Sequence, residues 1–168
     1  MSASLLERLE CDAVEGELRD ADTRYLLVRH DSLMGMFARL PAEARRTALA
    51  ALAESVAEHG ARSAERYASE LAGEREQLLS VIEATAPQLG WGHWRLERLE
   101  GEIGLVVDNS PFAKGYGRSR EPVCAAIVGM LRAVAGLVLG AGARAEEHRC
   151  AAVAGGASCS FRAWRRAA

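Results

Sequence analysis

The sequence predicts an α+β fold, an antiparallel sheet packed with helices, and three observations carry that prediction. Residues 91–108 and 143–166 alternate loosely between apolar and polar in short runs, the pattern of half-buried strands. Between Pro41 and Ala86 apolar residues recur at helical spacing in an Ala-rich background. The stretch from Glu121 to Leu139 is apolar almost throughout, which reads as a buried helix.

At 168 residues the chain is long enough for one domain with a real core. We read 1–168 as a single domain, with 1–22 as an N-terminal arm and 90–166 as the region that carries the motifs. A hydrophobic fraction of 49% with 26% charged residues argues against disorder. The net charge of −2 offers no global basic field for nucleic acid or an anionic membrane. No apolar run reaches the roughly 20 residues that a bilayer span needs. The N-terminus lacks the basic-then-apolar pattern of a signal peptide. These features point to a cytoplasmic protein with reduced thiols, where metal binding is favoured over disulfides.

Taken in order, Leu5, Leu6 and Leu9 mark a short amphipathic helix within a polar arm. Arg24 to Arg29, with Tyr25-Leu26-Leu27-Val28, reads as a strand of the sheet. His30-Asp31-Ser32 supplies cap chemistry for a helix through Leu40. Pro41 opens the next helix, which Gly60 is expected to end; further helices follow over 61–72 and 74–86, and Pro87 stops the last. Residues 91–99 and 103–108 form a hairpin through Gly101. Residues 109–117 read as a loop in which Gly115 and Gly117 allow a mobile lid. The helix 121–139 follows, with Gly129 and Gly136 on one face admitting close approach of a neighbour or ligand. The strands 143–152 and 157–166 close the chain.

Three of the four cysteines, Cys124, Cys150 and Cys159, fall in the last quarter. Thiolates are good zinc ligands, and a structural zinc takes four donors in a closed tetrahedron. Glu147 or His148 supplies the fourth. On a straight strand His148 shares a face with Cys150, whereas a bulge would bring Glu147 round instead. The bland alternative is three reduced thiols buried as small hydrophobes. Cys11 is a bystander.

The order of features resembles the 4-vinyl-reductase-type, or hydrocarbon-binding, domain. Leu89-Gly90-Trp91-Gly92 is followed by the hairpin, Asn109-Ser110-Pro111-Phe112, Pro122-Val123-Cys124, Gly129, Glu147-x-x-Cys150, Gly156 and Cys159-x-Phe161. The resemblance covers Gly90 to Arg162. Such domains occur in bacteriochlorophyll biosynthesis and as sensors of phenol-responsive activators. They are similar in fold to TRAPP trafficking subunits, a ligand-binding fold shared by NO-signalling and Golgi-transport domains. The resemblance implies a structural zinc on Cys124, Glu147, Cys150 and Cys159, and a homodimer paired through the helical side; in this chain the segment with Leu5, Leu6 and Leu9 offers further apolar surface for such pairing. It also implies an apolar cavity in which a His and a Trp hold a ligand hydroxyl.

No nucleophile elbow and no dinucleotide fingerprint accompany these features, so nothing demands catalysis. Trp91, His93, Trp94, Phe112 and Tyr116 gather within 26 residues of a chain with only 5% aromatics. With Gly129 they are the candidate ligand contacts, and core packing is the competing reading for both tryptophans. The cavity is expected between sheet and helices, walled by 91–94, 109–117 and 121–139. The functional reading is a zinc-stabilised binding or sensor module for a hydrophobic, ring-containing small molecule. Alternatives are a bacteriochlorophyll-synthesis accessory protein or 4-vinyl reductase holding a tetrapyrrole, and a structural interaction subunit of trafficking type.

Overall fold

A computed structural model describes residues 4–70 and 75–165. Its N-terminal part is built from very short elements. Helix α1 (Leu5–Arg8) is started by a capping box, with Ser4 Oγ accepting from the Glu7 amide and the Glu7 carboxylate accepting from the Ser4 amide. Three strands, β1 (Glu10–Asp12), β2 (Glu17–Asp20) and β3 (Thr23–Tyr25), then form an antiparallel meander with order β1-β2-β3. The first turn is set by the Asp12 carboxylate, which accepts from the Val14 and Glu15 amides, and by Gly16 at φ +68°.

The strand expected over 24–29 is therefore shorter, and it belongs to this small sheet instead of the main one. Leu26, Leu27 and Val28 leave the sheet and lie exposed.

Three helices follow: α2 (His30–Ala38), α3 (Ala42–Glu70) and α4 (Arg75–Thr85). Helix α3 runs straight through Gly60, which does not end it. A Cβ there would meet the Met130 Cε at 2.8 Å, so this glycine is used for close helix packing and not as a break. The expected boundary between helices at 72–74 lies outside the described residues.

The main sheet has four antiparallel strands in the order β4-β5-β7-β6. Strands β4 (His93–Leu99) and β5 (Glu102–Asp108) form the hairpin, turned by Gly101 at φ +71°. Helix α5 (Pro111–Tyr116) and helix α6 (Ala125–Val138) come next. Strand β6 (Arg144–Arg149), a helical turn α7 (Ala151–Ala154) and β7 (Ser158–Trp164) complete the order. The segment expected as a mobile loop, 109–117, is thus largely helix. Ser110 caps it, Pro111 takes its first position, and Gly115 is pressed against the His30 carbonyl of α2, leaving no room for a side chain.

One face of the sheet is buried, through Trp94, Ile103, Leu105, Val107, Phe161 and Ala163. Helix α6 covers it. Ile127, Leu131, Val134 and Val138 are buried, and so are Ala126, Gly129 and Ala133, because α3 packs on α6. Gly129 is the contact point: a Cβ there would lie 2.3 Å from the Ala53 carbonyl oxygen. Arg132 pairs bidentately with Glu54 across the two helices, at 2.6 and 2.7 Å. No helix among the described residues is long and apolar enough to cross a membrane.

Candidate functional site

Four acidic groups converge where α6 begins and β6 ends. Cys124 holds the N-cap position of α6, two residues after Pro122, and is buried completely. Cys159 is buried on β7, opposite Val107 of β5. Glu147 and Cys150 come from the β6 end, and their spacing is the informative point. Residues three apart on a straight strand face opposite ways. Here the register shifts between Glu147, opposite Phe161, and Arg149, opposite Ser160, so His148 is the extra residue of a bulge. The bulge turns both Glu147 and Cys150 inward and leaves His148 on the exposed side.

The ligand atoms of Cys124, Glu147, Cys150 and Cys159 all lie within 4.8 Å of one another. Cys124 Sγ and Cys159 Sγ are 3.7 Å apart. A tetrahedron with metal–sulfur bonds of about 2.3 Å has edges of about 3.8 Å, so this separation matches a coordination edge. Glu147 Oε2 accepts from the Cys124 amide at 3.0 Å, while its Oε1 is buried with no hydrogen-bond partner. Around the thiols, the Ala151 amide donates to Cys159 Sγ at 3.2 Å and Ser110 Oγ lies 3.4 Å from Cys124 Sγ.

Electrostatics show what the cluster lacks. Burial, reinforced by the charge on Cys150, pushes the Glu147 carboxyl up to about 8. Hydrogen bonds from Cys124 and then Cys159 hold the Cys150 thiol far below its ordinary value. Hydrogen bonding to Cys150 and to Cys159, and then burial, push Cys124 well up. Cys159 is pushed up to about 12; its bond with Cys124 opposes the shift, and Cys150 and burial outweigh it. By itself the cluster favours ionisation at Cys150 and disfavours it at Cys124, Cys159 and Glu147. A divalent cation inverts that order, because it stabilises every donor in its ionised form. The donor set and the orphaned Glu147 oxygen fit a metal ion.

A second feature is a cavity of about 460 Å³ between α3, α4, the start of β4 and the N-terminal meander. Its lining is mostly apolar and includes Val56, Ile82, Leu89, Trp91, Trp94 and Met130. Its polar lining residues are Thr23, Tyr25, His59, Ser63, Tyr67, Thr85 and Gln88. A wider depression of about 830 Å³ lies on the solvent side of the sheet, but Arg95, Glu97, Glu102 and Arg162 line it, which suits no apolar ligand.

The residues singled out from sequence are distributed as follows. Trp91 and Trp94 line the cavity, and the Trp94 indole N–H donates to the Trp91 carbonyl at 3.1 Å. Phe112 is buried against Trp91, edge-on at 5.2 Å between ring centres, and supports it without facing the cavity. His93 is exposed on the far face of β4, and Tyr116 ends α5 away from the cavity lining. Gly129 meets α3, so the space its missing side chain leaves is filled by protein backbone. The wall expected from 109–117 is replaced by α3, α4 and the meander.

Sequence reasoning passed over the α3 face. His59, Ser63 and Tyr67 are spaced i, i+4, i+8 with Gly60 and Ala64 beside them, a mixed stripe that could have been read as a polar-lined groove. The contribution of Leu9, Leu18 and Tyr25 had no such signal, because it depends on how the meander folds back.

Comparisons with known proteins agree with this architecture. A family model for the V-4-R domain matches residues 103–165, inside the stretch 90–166 that carries the motifs. Among solved structures the chain is similar to the phenol-responsive sensory domain of the transcription activator PoxR, solved with phenol. The identity is 17%, the TM-score 0.80, and the match covers 96% of this chain and 86% of that one. It is also similar to a vinyl-4-reductase family protein from Methanocaldococcus jannaschii, at 13% identity and a TM-score of 0.51, covering 88% and 86%. No curated protein sequence matches the chain at a significant level.

Proposed function

We propose that this chain is a zinc-stabilised binding or sensor module for a hydrophobic, ring-containing small molecule. The observation that carries the reading is the cavity beside Trp91 and Trp94, about 460 Å³ of mostly apolar wall with a handful of polar groups. Ligand sites have this composition: apolar surface supplies affinity and a few polar groups set orientation. A cavity of about 150 Å³ is enough to hold benzene. This one has room for a substituted or two-ring ligand, while a tetrapyrrole macrocycle would strain it. The phenol-sensing domain with which the chain shares its fold takes a ligand of the smaller kind.

In this reading zinc is held by Cys124, Glu147, Cys150 and Cys159. With four protein donors no position is left for water or substrate, so its role is structural: it ties the start of α6 to β6 and β7. A homodimer belongs to the same reading. Of the N-terminal leucines expected there, Leu5 is buried and Leu6 exposed; Leu6 lies with Leu26 and Leu27, 83% and 87% exposed, at the rim of the cavity, an apolar surface that a second copy would cover.

Titration of phenols, alkylbenzenes and a divinyl tetrapyrrole against tryptophan fluorescence tests the ligand. Saturable quenching by the single-ring compounds is expected, and it should vanish in Ala64→Trp, which fills the cavity. Saturation by none of them, or by the tetrapyrrole alone, would overturn the reading.

A further inference from the structure

The meander is the weakly held wall of the cavity. From Ser4 to Val28 only Leu5 and Asp20 are buried. Its strands hydrogen-bond to one another and belong to a sheet separate from the main one. Three short strands with so little buried surface are marginal without outside support. The other walls, α3, α4 and β4, are part of the main core.

Apart from the buried Leu5, the support is polar. Asp20, 4% exposed on β2, receives a bidentate pair from Arg8 of α1, Nε to Oδ1 and Nη2 to Oδ2, each at 3.1 Å. Arg66 of α3 donates to the same Oδ2 at 3.1 Å, which joins the meander to the body. Arg8 also donates to the Tyr67 hydroxyl at 3.3 Å, and the Arg8 and Arg66 guanidiniums lie 5.9 and 5.7 Å from the Tyr67 ring centre. Tyr67 is itself part of the cavity wall. One backbone tie adds to these, from the Leu6 amide to Gln88 Oε1 at 3.2 Å.

We propose that residues 5–28 form a hinged cover over the cavity, latched by Asp20 between Arg8 and Arg66, with Tyr67 joining the latch to whatever occupies the cavity. The cover opens by local unfolding, which draws on the least stable part of a fold. When it opens, the arginines can rehydrate, since their side chains are already 28% and 31% exposed, and the body stays folded. The cover's purpose rests on the cavity being a binding site, whereas its opening can be measured without one.

The test reads access with no ligand present. In a Cys11→Ser background, Ala64→Cys places a thiol on the buried cavity wall, and its reaction with 5,5′-dithiobis(2-nitrobenzoate) reports opening. Adding Asp20→Asn or Arg66→Met should raise the labelling rate about tenfold or more, as expected for loss of buried charge-assisted hydrogen bonds. Hydrogen exchange should accelerate over 5–28 and stay unchanged over β5 and β7. Equal labelling with and without the latch changes, or exchange rising in β5 and β7 together with the cover, would overturn the proposal. Arg66→Met leaves the Arg8–Asp20 pair intact, so it keeps the test open if Asp20→Asn does not fold. Failure of every ligand to bind would leave the labelling result standing and count only against the functional reading.

Discussion

Two buried ionisable clusters in this chain solve opposite problems. Around Cys124, Glu147, Cys150 and Cys159 four acids meet with no basic side chain among them. Around Asp20 one acid meets two guanidiniums, from Arg8 and Arg66. The second cluster neutralises itself, and Asp20 is held below the usual carboxylate range, by the Arg8 hydrogen bonds first. The first cannot, and Glu147 is pushed up to about 8. Burial of like charges without a counter-charge is costly, so the acid-only cluster resists ionising as a whole unless a cation is bound to it. The same contrast separates the regions they serve: a tightly packed C-terminal part joined through the cluster, and an N-terminal cover joined through side-chain ion pairs.

The proposed metal probes that contrast hardest. Cys150→Ser, or chelation of the native chain, should abolish bound zinc and lower stability by more than a single core truncation, beyond about 5 kcal/mol. Metal analysis and urea unfolding of protein purified without added zinc decide it. A metal-free chain as stable as the loaded one would erase the difference between the two clusters.

Next in size is Gly129→Ala. The added methyl has nowhere to go against the Ala53 backbone, and Cys124 caps the same helix. Overpacking should cost about 1–3 kcal/mol and weaken zinc retention as α6 shifts. Unchanged unfolding midpoint and metal content would show that α3 yields instead.

Asp20 supplies a pH test of comparable or smaller size. Its folded pKa lies below the ordinary 3.8, so its stabilisation is present above that value and lost as pH falls through the folded one. The groups facing it are Arg8 from α1 and Arg66 from α3, with Tyr67 and Tyr25 nearby. Asp20→Asn should cost about 1–3 kcal/mol at neutral pH. The gap from wild type should shrink in strong acid. A pH-independent gap would mean that the carboxylate charge is not what the arginines recognise.

The smallest effect on stability is expected at the exposed leucines. Leu27→Ser should change unfolding by less than about 0.5 kcal/mol while reducing the dimer fraction seen by light scattering. A dimer that survives the change would move the interface elsewhere.

Local pattern alone was enough for the α+β class, the central hairpin and the buried α6, because periodicity and turn chemistry are written in neighbouring residues. Ser110-Pro111 is a helix start on the same grounds, yet two following glycines made the segment look like a loop. What seats it as a helix is the His30 backbone against Gly115, a contact no local pattern records. Gly60 likewise read as a break, and Gly129 as room for a neighbour or a ligand; they became seats for Met130 and Ala53 once α3 and α6 crossed. The choice between Glu147 and His148 hung on one extra residue in β6, and only pairing with β7 shows where that residue is accommodated. The cavity was least legible of all. Its walls come from segments far apart in sequence, and a void is defined by what surrounds it, so no single stretch of chain encodes it.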